Sequence, residues 1–302
     1  MIINVSDGKA TEVKDAPKAI SRTVELIPVE GGACYTSDMG RNIVFVSADG
    51  SFKSWLSTDE SAYIKEGEIL NEMYAVSGSR SAMYVQLIEE ETRTAVIVYD
   101  FSVGQYIELD CNTSGDAALE IKRIFWQNND TVGILFDNRT VSLFDAGHGD
   151  LKATVSLDGT SQEPISAAAV SEDTFAVLCR DSHLYEMNSD GATGRSCKLD
   201  FSDEYRNDIY ESDNSDAALF EIKPSADKNR VYAVWDKSQA WLLDSSKFTV
   251  RYRIDGFTAA PAADDKVFIS DEERNKVGFF PIYTTQQLLS AARDYLSALG
   301  EA

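Results

Sequence analysis

The chain has 302 residues, 43% of them hydrophobic, and its 50 acidic and 28 basic residues leave a net charge of −22. So much negative charge repels a phosphate backbone, which sets nucleic acid aside as a partner, and no apolar run reaches the ~18 residues of a membrane-spanning helix. MIINVSDGK at the N-terminus lacks an export signal's basic and apolar stretches, and Cys34, Cys111, Cys179 and Cys197 show neither C-x-x-C nor zinc spacing, so a cytoplasmic protein with reduced thiols is expected.

The first elements are IINVSDGK from Ile2, which reads as the third strand of a small sheet, and ATEVKDA from Ala10, which reads as the fourth. A pair of strands then recurs six times. The first strands of the pairs open at Asn42 (NIVFVSADG), Ser81 (SAMYVQLIEE), Asp130 (DTVGILFDN), Asp173 (DTFAVLCRD), Asn229 (NRVYAVWDK) and Asp265 (DKVFISDEE). Successive copies stand about 36 to 56 residues apart, close to the ~40–50 of a four-stranded propeller blade. Their partners, the third strands of the blades, are SFKSWLSTDE from Ser51, VIVYDFSVGQ from Val96, VSLFDAGHGD from Val141, HLYEMNSDGA from His183, AWLLDSSKFT from Ala240 and NKVGFFPIYT from Asn275. Period-two alternation with aromatic and β-branched residues marks strands, and Asp, Ser, Gly and Asn clusters close them with turns. Fourth strands follow as SAYIKEG, QYIELD, LKATVSLDG, RSCKLDF and FTVRYRIDG, and the connections GDAALEIK from Gly115 and SDAALFEIK from Ser215 repeat before an innermost strand.

The expected fold is all-β: one β-propeller over residues 1–283, of six four-stranded blades or alternatively seven, in which an N-terminal strand completes the last blade. After NKVGFFPIY the chain turns helical. Thr284 or Thr285 offers an N-cap, Leu288, Leu289, Ala292, Leu296 and Leu299 recur at helical period, and Gly300 ends the run, so residues 284–302 are expected to form an amphipathic helix packed on the propeller. A docking face for another domain or a second copy is the other use of such a stripe.

VYDFSVGQYIEL and LFDAGHGDLKATVSL resemble the strand, aromatic, Asp, turn, Gly segments of WD-repeat and quinoprotein-like propellers, and FFPIYTTQQLLSAARDYL is similar to the tail of propeller modules in bacterial multidomain proteins. The Gly-His pair that true WD repeats carry before the innermost strand is absent, and Trp-Asp occurs only at Trp235 and Asp236. The resemblance implies a scaffolding or sensing part.

Candidate chemistry is sparse. Only His148 and His183 are present, too few for a three-histidine metal centre, and neither has a Ser partner suggested by spacing. There is no G-x-S-x-G elbow and no P-loop. Ser47 to Trp55 approaches an Asp-box turn with Gly50 one place early, and the acidic run from Asp203 to Asp216 lacks the order of a calcium loop. No catalytic residue, metal or cofactor is expected. The function read from the sequence is a non-catalytic propeller scaffold for protein-protein interaction or sensing, alone or as a module of a larger bacterial protein, with Tyr205, Tyr210 and Trp126 as candidate anchors; the acidic excess either solvates the surface or selects a basic partner, and the oligomeric state is left open. The alternative is a small-molecule or glycan-binding propeller, or a hydrolase, with carboxylates and an arginine such as Arg123 or Arg180 in a central funnel.

Overall fold

The computed structural model describes residues 2–3, 10–11, 27–29, 32–37, 42–47, 49–57, 68–77, 80–87, 94–100, 103, 105–109, 111, 119–160, 163–199, 220–224, 230–235, 239–244, 247–255, 258–263, 266–271, 276–281, 283 and 285–300. Among the described residues the structure is mostly β, built from antiparallel sheets of up to four strands in chain order, with one helix at the C-terminus. Two compact units divide the chain: Met1–Gly159 with Asn188–Ala192, and Thr160–Met187 with Thr193–Ala302.

In the first unit, β1 (Ile2–Ile3) and β2 (Ala10–Thr11) pair as a two-stranded ribbon. A four-stranded sheet follows, of β3 (Ile27–Val29), β4 (Gly32–Ser37), β5 (Asn42–Ser47) and β6 (Phe52–Ser57). The next sheet holds β7 (Glu68–Ser77), β8 (Arg80–Leu87), β9 (Thr94–Asp100) and β10 (Gln105–Leu109). The third holds β11 (Ile121–Asn128), β12 (Thr131–Phe136), β13 (Thr140–Asp145) and β14 (Leu151–Ser156). Each is a meander, every strand pairing with its neighbour in sequence, as in a propeller blade.

The second unit continues the pattern with β15 (Pro164–Ala169), β16 (Thr174–Cys179), β17 (His183–Asn188) and β18 (Thr193–Lys198). Its next sheet is β19 (Phe220–Pro224), β20 (Arg230–Trp235), β21 (Gln239–Asp244) and β22 (Thr249–Asp255). Three strands, β23 (Thr258–Ala263), β24 (Lys266–Asp271) and β25 (Lys276–Pro281), form the last sheet, and α1 (Thr285–Gly300) ends the unit.

Burial explains the apolar composition of two of the second strands. All six residues of β12 and five of six in β16 are buried, so both faces of these strands are covered and their composition runs apolar throughout. In the first unit the cover comes from the neighbouring meander: Val96 and Val98 of β9 and Leu109 of β10 pack with Ile124, Val132, Ile134, Phe136 and Phe144. In the second unit Ala168, Ala176, Leu178 and Leu184 pack against Trp241, Leu243 and Phe248. In these two pairs, adjacent sheets therefore stack face to face. The fourth strands β14 and β18 are mostly exposed, which matches their shorter apolar patterns.

One expectation is corrected, and another is not seen among the described residues. The Asn42 and Ser51 pair occupies the third and fourth places of its sheet, because Ile27–Val29 and Gly32–Ser37 precede it; the Gly at the head of β4 and its Thr and Ser residues hid the alternation. Among the described residues, Ile2–Ile3 pairs with Ala10–Thr11 and β25 has no fourth strand beside it, so the expected completion of the last sheet by an N-terminal strand is not seen there. The expected strand SAYIKEG lies outside the described residues.

Candidate functional site

The chain's two histidines each face a carboxylate of their own turn. His148 lies exposed after β13 with Nδ1 3.1 Å from Asp145 Oδ1, and His183 opens β17 with Nδ1 2.9 Å from Asp181 Oδ2. Each imidazole is oriented by a structural aspartate. Among the described residues no group of three or more His, Cys, Asp or Glu side chains is placed to hold a metal ion, and no helix there is long and apolar enough to cross a membrane.

Asp145 organises the β13–β14 turn. Its Oδ1 accepts from the backbone N–H of Gly147 at 2.8 Å and of His148 at 2.9 Å, and Lys152 Nζ lies 3.1 Å from its Oδ2. The Lys152 ammonium foremost, then the Gly147 N–H, hold this carboxyl well below the usual carboxylate range. A depressed carboxylate adds stability that is present above its unfolded value, near ~4, and is lost as pH falls towards the folded value. The expected result is an acid limb of stability, below pH ~4, that is shallower in Asp145→Asn than in the wild type. Urea midpoints measured down this limb check it, and parallel curves refute the assignment.

The SADGS segment folds as a closed hairpin turn. Gly50 N–H donates to Ser47 O at 3.0 Å, Ser51 N–H to Asp49 Oδ1 at 2.9 Å, Ser47 Oγ bonds Asp49, and Gly50 has φ +86°. The Ser47 hydroxyl foremost holds the Asp49 carboxyl down at about 2. The turn at Asn188–Ala192 repeats the geometry, with Gly191 N–H on Asn188 O at 2.9 Å, Ala192 N–H on Asp190 Oδ1 at 3.0 Å and φ +89° at Gly191. Both aspartates are spent on backbone N–H groups, which is a structural use.

A polar cluster inside the second unit was not read from sequence. Arg195 Nε and Nη2 donate to the two carboxylate oxygens of Glu186 at 2.7 and 2.6 Å, and the guanidinium carbon stands 5.6 Å from the Phe248 ring centroid. The Glu186 carboxylate raises the Arg195 pKa further. Glu186 shares the buried face of β17 with Leu184, two residues before it, in a strand that reads as ordinary, so nothing in the sequence distinguished it. On β18 beside it, Cys197 is half-buried and desolvation pushes its thiol up to about 11, away from nucleophilic use.

The three candidate anchors fare differently. Tyr205 and Tyr210 lie outside the described residues, as does the Asp203 to Asp216 run. Trp126, on β11, is half-buried and packs against the core of the first unit. Arg180 is engaged by Glu163 at 3.2 Å, and Arg123 is half-buried on β11. The exposed apolar surface is instead on α1: Leu288 is 46% exposed, Leu289 53%, Tyr295 67% and Leu296 67%. The stripe expected to pack on the sheets faces solvent.

No family model matches the chain, and no curated protein matches it. Similar solved structures include apo AztD from Citrobacter koseri, at 13% identity and a TM-score of 0.41, covering 77% of this chain and 59% of that one. Another is BamB from Moraxella catarrhalis, at 11% identity and a TM-score of 0.45, covering 85% of this chain and 75% of that one. The chain thus spans about 59% of the length of AztD. At this level of likeness no function carries over from either protein.

Proposed function

We propose that the chain is a non-catalytic β-propeller scaffold, six meander sheets closing as blades of a ring, that binds a basic protein partner in a reducing cytoplasmic interior. The observation that carries the reading is the two-sided burial of β12 and β16. Strands covered on both faces spend their side chains on stacking, which leaves turns and outer strands as the surface open to a partner. That surface belongs to a chain of net charge −22, so its long-range field attracts a basic protein and raises the rate of encounter. The alternative, a ligand in a central funnel, gains nothing from Arg180, whose guanidinium already pairs with Glu163.

The test is a pull-down with the full chain as bait at about 0.05 and about 0.5 M salt, repeated after neutralising the acidic residues from Asp203 to Asp216 to their amides. A discrete set of basic proteins held at low salt and released at high salt is expected. Capture no different from that of an unrelated protein of equal charge overturns the reading, and capture unchanged by the neutralised run assigns binding to another surface of the chain.

A further inference from the structure

We propose that α1 is a self-association surface on which two copies of this chain pair helix against helix, antiparallel about a two-fold axis. Every side chain from Gln286 to Ser297 is exposed, and four of them are large and apolar. At about 100° per residue, Leu288, Leu289, Ala292, Tyr295 and Leu296 fall on one stripe roughly 120° wide. A contiguous apolar stripe of this kind, left in water, marks a contact surface.

Charge selects the occupant. The helix carries one Arg and one Asp, so the net −22 of the chain belongs entirely to residues outside it. Arg293 stands at the flank of the stripe beside Leu289, while Asp294 is on the opposite side of the helix. Among the described residues of the helix, no carboxylate stands at the rim for a basic partner to pair with. A second copy meets the condition it needs, since a helix with no net charge is where two molecules of −22 can touch with the least repulsion. One stripe meeting the same stripe makes an isologous contact, which closes at two copies. The helix is also anchored at its base: Tyr252 Oη on β22 donates to the backbone oxygen of Tyr283 at 2.7 Å, tying the entry to α1 to a sheet. This surface is separate from the one that the scaffold reading uses.

The pairing is weak. Sixteen residues make a helix about 24 Å long, and two such helices bury less than the ~1,200 Å² of a standard specific interface. Sedimentation velocity from about 1 µM to about 0.2 mM covers the range of weak association to be tested. The mass is expected to rise from 33.3 kDa towards twice that value, and more readily at high salt, where repulsion between copies is screened. Leu289→Glu and Leu296→Glu, both at exposed positions, are expected to weaken association by more than about tenfold while circular dichroism stays that of the wild type. A monomer at every concentration overturns the proposal, as does a dimer that both variants leave intact, or a helix that retains a different protein and never a second copy.

Discussion

Replacing Phe248 by alanine is expected to cost about 3–5 kcal/mol, and replacing it by glycine to cost less, by roughly 0.5–1 kcal/mol. The usual order is the reverse, because glycine gives up more conformational freedom on folding. Phe248 is 1% exposed and packs with Trp241, Leu243 and Leu178, so either change deletes a buried ring and leaves a cavity. Its backbone, however, has φ +51°, a left-handed conformation that costs a residue bearing a Cβ about 1–2 kcal/mol. Alanine keeps that strain and glycine releases it. Urea unfolding of the two variants decides the matter, and an alanine variant more stable than the glycine one would falsify the claim that strain is stored at this turn.

The second large effect concerns the same place in another sheet. Gly149 N–H donates to Asp145 O at 2.8 Å, as Phe248 N–H does to Asp244 O at 2.6 Å, and Gly149 has φ +82°. A Cβ built on Gly149 stands 2.5 Å from the backbone oxygen of Glu108 on β10, and 3.1 Å from Ile107. The obstacle is backbone and cannot rotate away. Gly149→Ala is therefore expected to lose roughly 2–4 kcal/mol, the sum of left-handed strain and overpacking. Gly191→Ala is the control, since φ is +89° but the nearest atom to its Cβ is Val155 at 4.0 Å, and only about 1–2 kcal/mol of strain should appear. Equal losses at the two glycines would mean that the approach of the Gly149 turn to β10 contributes nothing.

These turns show what a one-dimensional pattern hides. The segments DAGHG from Asp145 and DSSKF from Asp244 look unrelated, yet both place the N–H of the fifth residue on the carbonyl of the first. What differs is the space beside that fifth residue. At 149 a neighbouring strand crowds the backbone, so only glycine fits; at 248 the core of the second unit accepts a ring. Of the candidate surfaces, Trp126 was legible as an aromatic near a strand end but is used for packing, and the Glu186–Arg195 pair was invisible because a charged residue in an alternating strand ordinarily faces water.

By itself the sequence determined the meander order, the positions of the second strands β8, β12, β16, β20 and β24 and the extent of the terminal helix, because alternation, turn chemistry and helical period are local and act within a few residues. Tertiary structure decided which faces are covered and which are bare. Whether Leu296 is buried, whether residue 149 tolerates a Cβ and whether Glu186 finds a cation all depend on atoms distant in sequence, since burial and steric fit are properties of neighbours and not of the residue itself.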